Sequence, residues 1–255
     1  MKIDDLLSQI QHIARVSKFD KPFIVGGIPR DRILGKRSGK SNLKDIDITT
    51  GSKDSLLLAE KLNKEIPNSS YKIYDDGHAS IDIMGLHIDF SSNFIISGIE
   101  DDLRKKGVKD IDSMKLELYS RDFTINTLLE SLDFSSIYDL TGDGIGDIQS
   151  GIIQCPINPD ITIGVDPRRI LRAIKFAVKF GFKIEEKLKT AMLNNRKKIQ
   201  NLPVKFVQDK ITEIAKIDDD NGIEMLIKFK LLPLVPLTKT LSDILIQQRR
   251  LVRAL

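Results

Sequence analysis

The sequence holds one cysteine, Cys155, and no tryptophan. A lone cysteine excludes an intramolecular disulfide framework and any cysteine-cluster zinc site. The three histidines, His12, His78 and His87, show no metal-ligand spacing. No apolar run reaches the roughly 18 residues that a membrane-spanning helix needs. The opening stretch MKIDDLLSQIQHIARVSKFD carries acids early and lacks the apolar centre of a secretory signal. A reducing, cytoplasmic setting is therefore expected. Two nucleotide-binding signatures are missing as well, since neither GxGxxG nor a GxxxxGK stretch followed by Ser or Thr occurs. No internal repeat is evident, which argues against a solenoid.

What is present suits a globular chain of one or two domains: 255 residues, 41% hydrophobic and 30% charged. The net charge of +4 is unevenly spread. Residues 1–150 carry 20 Lys and Arg against 25 Asp and Glu, giving −5, and residues 151–255 carry 20 against 11, giving +9. A basic second half is what a polyanion-binding surface needs, and equally what ordinary lysine-rich solubility produces.

Apolar spacing predicts a helix over residues 1–18. FIVGG (23–27) reads as a buried strand entering a glycine turn, followed by a short helix from Pro29 to Leu34 that stops at Gly35. Residues 35–44 read as a polar loop, DIDITT (45–50) as a strand and 52–66 as a helix. Three strands follow at 71–76, 78–84 and 86–92. The charged stretch 97–113 reads as a loop or lid, RDFTINTLLES (121–131) as helical after its opening residues, and 138–153 as turn-rich. Beyond it, 165–180, 184–194, 204–217, 222–229 and 241–253 have helical spacing. An α/β domain (1–150) followed by an all-helical one (151–255) is expected.

Asp45 and Asp47 lie two apart on a predicted strand, so both carboxylates point to one face. Adjacent anions repel unless a cation lies between them, and hard oxygen ligands suit Mg²⁺, which also takes phosphate ligands. Alone, a DxD pair reads as the wet side of an exposed strand. The preceding turn changes that reading. Gly26 and Gly27 permit close backbone approach, and the helix after them offers unpaired N–H groups to an anion. Arg30 gains nothing from the dipole in a first helical turn, and makes sense there if it shares a phosphate. Its alternative is a simple surface arginine, or a salt bridge to Asp31 or a neighbour. Asp89, on LHIDF, is a candidate third carboxylate and equally a polar residue on a half-exposed strand.

GGIPRDRILGKRSGKSNLKDIDITT (26–50) resembles the GGxVRDxLLG…DxD signature of polymerase-β-type nucleotidyltransferases, in particular class II CCA-adding enzymes and bacterial poly(A) polymerases. SRDFTINTLL (120–129) resembles their RRDFTxNAL element, and VDPRRILRAIKFAVKFGFKIEE (165–186) their EDPLRxLRAxRFAxxxGFxI element. The resemblance covers about residues 20–190. It implies an α+β fold, a head with a small mixed, antiparallel-rich sheet, then an all-α neck and a shortened body that bind RNA. It implies Asp45 and Asp47 as catalytic ligands of Mg²⁺, with Gly27 and Arg30 on the phosphates or ribose of the incoming nucleotide. Arg121 would contact the nucleotide and Asp122 would order the site. Asp166 and Arg169 would read the base, with Arg172 and Lys175 nearby.

Asp166, Arg169, Arg172 and Lys175 recur every three residues, roughly along one helix face, opposite Ile170, Ile174, Ala177 and Val178. On spacing alone, Asp166 is a helix cap before Pro167 and the basic residues are solvated. A carboxylate accepts hydrogen bonds and an arginine donates them. Cytosine and adenine each pair an amino donor with a ring-nitrogen acceptor, whereas guanine and uracil present the reverse, so one Asp/Arg pair can select C and A without a template. The sequence departs from the family pattern at Pro29, Ser120, Val165 and Lys175, where valine, arginine, glutamate and arginine are usual. The activity implied is addition of C and A to the 3′ end of tRNA from CTP and ATP. Polyadenylation, partial CC or A addition, and an inactive RNA-binding module are the alternatives. YKIYDDGHASIDI (71–83) lacks the basic GRRF-like segment associated with poly(A) polymerases.

Overall fold

The computed structural model describes residues 3–36, 43–67, 69–83, 85–236 and 238–247. The chain divides into two compact units, Met1–Gln149 and Ser150–Leu255.

The first unit opens with α1 (Ile3–Val16), β1 (Phe23–Val25), α2 (Gly27–Ile33), β2 (Asp45–Thr49) and α3 (Asp54–Glu65). β3 (Ser70–Ile73), β4 (Ala79–Ile83) and β5 (Leu86–Phe90) follow, then α4 (Ile99–Lys105), α5 (Ser113–Ser120), β6 (Leu129–Ser131), β7 (Ile137–Tyr138) and α6 (Gly144–Ser150). The seven strands form one sheet in the order β3-β4-β5-β2-β1-β6-β7. Only the β2–β5 pairing is parallel. α1 buries Leu6, Leu7, Ile10, Ile13 and Ala14 along one stripe. These pack with Leu58 and Leu62 of α3 onto Ile24, Ile46, Ile48, Ile81 and Ile88 of the sheet. Each such side chain contributes about 1.5–3 kcal/mol when fully buried. The opposite face carries a smaller apolar cluster, Val25 and Leu129 against Leu118 of α5.

Strand register arranges that second face in rows. Leu129, Val25, Asp47, Asp89 and Ser80 are cross-strand partners, and His87 stands between Asp45 and Asp82 in the next row.

Three expectations are corrected here. Residues 121–131 do not form a helix: a 3₁₀ turn spans Thr124–Asn126, and Leu129–Ser131 becomes strand β6. The free edge of β1 takes Leu129–Ser131 as an antiparallel partner. Ile125, Leu128, Leu129 and Leu132 are all buried, so burial on every side erased the period that separates strand from helix. The charged stretch 97–113 is not all loop either. Gly98 turns the chain at φ 76, and α4 follows, seated by buried Ile99 and Leu103. Asp112 then caps α5, its carboxylate accepting from the Lys115 N–H at 2.8 Å. α2 starts two residues earlier than the expected Pro29, and Gly35 ends it with φ 66. Most of the expected loop 35–44 and the last residues of the expected helix 241–253 lie outside the described residues.

The second unit is mainly helical: β8 (Ile152–Ile153), α7 (Pro159–Val165), α8 (Arg168–Phe180), β9 (Lys183–Ile184), α9 (Glu186–Asn195), α10 (Val204–Ile217), α11 (Asp219–Lys228) and α12 (Lys239–Gln247). β8 and β9 pair in parallel, a two-residue ladder that the all-helical expectation did not include. α8 buries Ile170, Leu171, Ala173, Ile174, Phe176 and Ala177 and packs against α10 and α11. No helix among the described residues is long and apolar enough to cross a membrane.

Candidate active site

Asp45 and Asp47 are exposed and alternate with buried Ile46 and Ile48, so β2 shows both acids on the side away from the core. The glycine turn lies against them. Gly26 sits at φ 80 and ψ −118, backbone that a side chain would strain. A Cβ placed there would stand 3.0 Å from Asp47 Oδ2. Glycine at 26 thus answers two demands at once, a positive φ and close approach to a carboxylate. Gly27 opens α2, where a Cβ would meet Arg30 Nη2 at 3.4 Å.

Asp89 joins the row beside Asp47, and its Oδ1 accepts from His87 Nε2 at 3.1 Å. His87 Nδ1 donates to Asp82 at 2.7 Å. Ionised carboxylates only accept, so both bonds together require the doubly protonated imidazole. Accordingly, the bond from His87 holds the Asp82 carboxyl below its ordinary value, and the same bond holds the imidazole above its own. A cleft of about 220 Å³ opens at this face, lined by Val25, Asp47, Ile48, His78, Asp89, Phe90, Ser91, Ser92 and Arg121.

Glu117, which the sequence reading passed over, ties the face together. It is 2% exposed and lies four residues before Arg121 on α5. Its Oε1 accepts from Arg121 Nη2 at 2.7 Å and from Ser91 Oγ at 2.9 Å, and Thr49 Oγ1 bonds its other oxygen. Thr49 and Ser91 stand two residues beyond Asp47 and Asp89, on the same pleat face of the two parallel strands. One buried carboxylate therefore fixes Arg121 to the strands that carry the acids. The signal for it was the i,i+4 Glu–Arg spacing, which marks a helical ion pair.

Arg30 is buried at 6%. Its guanidinium pairs with Asp31 at 2.8 Å and donates to Asn126 Oδ1 at 2.7 Å. Asn126 in turn donates to Asp122 Oδ1 at 3.0 Å, which also accepts from the Phe123 N–H. Asp122 and Asn126 thus hold the guanidinium that follows the glycine turn. Ser120, standing where the family has arginine, is buried; its hydroxyl donates to Leu116 O and accepts from the Ile96 N–H at 2.9 Å.

In the second unit, Asp166 stands between α7 and α8, and its carboxylate accepts from the Arg168 N–H at 3.0 Å and from Arg168 Nε at 2.8 Å. Arg169 is 8% exposed and lies against α7, whose Thr162 carbonyl is 3.5 Å from its Nη1. Arg172 is exposed, with its guanidinium 5.5 Å from the Phe176 ring centre. Lys175 is engaged in an ion pair with Glu213 of α10. The four residues do not share one environment, because each step of three turns the position by roughly 60° around the helix.

Among the described residues, no group of three or more His, Cys, Asp or Glu closes on one metal position. The donor set still fits Mg²⁺, which is held by one or two carboxylates and takes its other ligands from phosphate and water. Asp45 and Asp47 supply exposed hard oxygens at a glycine turn, and Asp89 is adjacent though shared with His87.

Residues 22–154 match the family model described as Poly A polymerase head domain. Among curated proteins, the CCA-adding enzyme of Limosilactobacillus fermentum is 29% identical over 217 residues, covering 82% of this chain and 50% of its own length. That of Lactiplantibacillus plantarum is 30% identical over 176 residues, covering 68% and 40%. The chain spans about half the length of the curated relatives it matches. Among solved structures, a CCA-adding enzyme in complex with ATP superposes with a TM-score of 0.65 at 25% identity, covering 90% of this chain and 52% of its own. The Thermotoga maritima CCA-adding enzyme complexed with tRNA superposes with a TM-score of 0.67 at 26% identity, covering 90% and 51%.

Proposed function

The chain belongs to the Poly A polymerase head domain family, and from that membership and its carboxylate face we propose that it is a template-independent RNA nucleotidyltransferase. It adds C and A to the 3′ end of tRNA from CTP and ATP and releases pyrophosphate. The observation that carries this reading is the row Asp47–Asp89, with Asp45 two residues before Asp47, set against the Gly26 turn.

In the reaction, the RNA 3′-hydroxyl attacks the α-phosphorus of the nucleotide. The bond to the bridging oxygen breaks, and pyrophosphate departs. Asp45 and Asp47, with Asp89 beside them, would hold Mg²⁺, which supplies activation of the attacking hydroxyl and neutralisation of the leaving group. The Gly26–Gly27 turn lets the triphosphate approach the backbone, and Arg30, braced by Asn126, faces its charge. Arg121, held by Glu117 and close to Gly26, takes the phosphates beside the turn. Asp166 and Arg169 select the base by accepting from and donating to its pairing edge. Arg172 adds positive charge on the same helix, and Lys175, paired with Glu213, stiffens it against α10. A cytoplasmic location is part of this proposal and is supported by the single cysteine.

The test is incorporation. The protein is incubated with tRNA transcripts lacking 3′ CCA, Mg²⁺ and each labelled nucleotide, alone and combined. Use of CTP and ATP with a stop after three additions is expected. Long ATP-only tails would replace the reading with polyadenylation, and no incorporation would leave an RNA-binding module.

A further inference from the structure

Nucleotidyl transfer brings an RNA 3′-hydroxyl to the carboxylate face. The terminal base hangs from the same ribose, so it comes to rest within one nucleoside's length of Asp47 and Asp89. Two aromatic rings line the cleft there, and Phe90 is fully buried, which leaves His78. His78 lies flat on Tyr74, with ring centroids 4.0 Å apart and planes 8° from parallel. Lys72 Nζ stands 4.1 Å from the Tyr74 centroid. The imidazole fills one face of Tyr74 at that range, so Lys72 occupies the other. The nitrogen edges of His78 are directed to acids: Nδ1 bonds Asp76, and Nε2 faces Asp89 Oδ1 at 4.0 Å. With one face on Tyr74, Nδ1 bonded to Asp76 and Nε2 turned toward Asp89 without a hydrogen bond, the second ring face is the broad surface this half-buried side chain offers the cleft.

We propose that His78, backed by Tyr74 and Lys72, is the stacking platform for the base of the RNA's 3′-terminal nucleotide. The proposal rests on the transferase reading above and assigns a role to residues that reading leaves unused. Stacking is the appropriate contact, because the terminal base of the growing RNA changes with each addition. A ring face accepts any base, whereas hydrogen bonds to an edge would favour one. Asp75 and Asp76 at the hairpin tip repel phosphate, so the platform takes the base and not the backbone.

The test uses a tRNA transcript ending in the fluorescent base 2-aminopurine, alongside steady-state incorporation on the unlabelled transcript. The wild-type protein quenches the probe. His78→Ala and Tyr74→Leu relieve the quench and raise KM for RNA about tenfold, while KM for CTP stays at its wild-type value. His78→Phe restores the quench and the RNA KM, and His78→Asn, which keeps a polar group without the ring, does not. Each variant is compared once its melting temperature is shown to match that of the wild type, and Tyr74→Leu keeps the imidazole itself should His78→Ala fold poorly. The platform is overturned if both alanine and leucine variants quench and bind RNA as the wild type does, if KM for CTP rises instead, or if Asn rescues as well as Phe. A wild-type protein that transfers nothing to any RNA overturns the transferase reading, and the platform with it.

Discussion

The two faces of the seven-stranded sheet are made by alternate residues of the same strands, and they do opposite work. Ile24, Ile46, Ile48 and Ile88 point to α1 and α3 and are at most 1% exposed. Val25, Asp47, Thr49 and Asp89, their immediate neighbours, point the other way, into a face that carries acids and hydroxyls. The first face stores the stability that lets the second hold like charges close together. A one-residue slip in register would exchange the two and destroy both.

Substitution on either side separates these tasks. Asp47→Ala should cut nucleotide incorporation about a thousandfold, the several kcal/mol of charge stabilisation that a metal-holding carboxylate supports. Its melting temperature should stay near that of the wild type, since the side chain is exposed and outside the core; a variant that loses stability along with activity would blur the division. One residue on, Ile48→Ala should do the reverse. Denaturant unfolding should show a loss of about 2–5 kcal/mol, with activity per folded molecule retained.

Glu117 lies beneath the polar face and sharpens the comparison, because it is buried like the core yet serves the site. Glu117→Gln removes the charge that holds Arg121, and kcat/KM for nucleotide should fall about tenfold, in line with the worth of a charge-assisted hydrogen bond. If Glu117 acts through Arg121, the double variant with Arg121→Met should be no slower than Arg121→Met alone. Additive losses would mean that Glu117 serves mainly to join Thr49 and Ser91.

The smallest effect is a titration. The imidazole of His87, bonded to Asp82, has its pKa raised, so the stabilisation from this pair is complete below the unfolded histidine value and is lost as pH rises through the folded one. Asp82, with its value lowered, contributes above its unfolded pKa, and that contribution is lost as pH falls through the folded value. NMR titration in Mg²⁺-free buffer should place His87 above the ordinary histidine range, and Asp82→Asn should bring it down. An unchanged His87 titration in that variant would remove Asp82 as the cause.

The sequence disclosed some of this and hid the rest for definable reasons. Period-two spacing sufficed to put Asp45 and Asp47 on one side of a strand, and paired glycines sufficed to predict the turn before them. The strand at Leu129–Ser131 stayed hidden because its apolar residues are buried all round, leaving 3.6 and 2 indistinguishable. α4 stayed hidden because a seven-residue helix seated by Ile99 and Leu103 is mostly charged. The contacts among His87, Asp82 and Asp89 depend on which strands become neighbours, and the parallel β2–β5 pairing is a long-range choice that no local pattern encodes. The basic row on α8 was readable as a list of residues. Its spacing suggested a single face, and the accumulating helical rotation instead distributes Arg169, Arg172 and Lys175 among a buried, an exposed and an ion-paired environment.

The central claim is that the acid row anchors a divalent cation together with a triphosphate, and Mn²⁺ binding followed by electron paramagnetic resonance in the presence of CTP tests it without relying on turnover. The wild-type protein should bind the ion more tightly with CTP than without it, and Asp45→Asn combined with Asp47→Asn should weaken binding at least about tenfold. Mn²⁺ affinity that is the same in the wild type and the double variant would contradict the account.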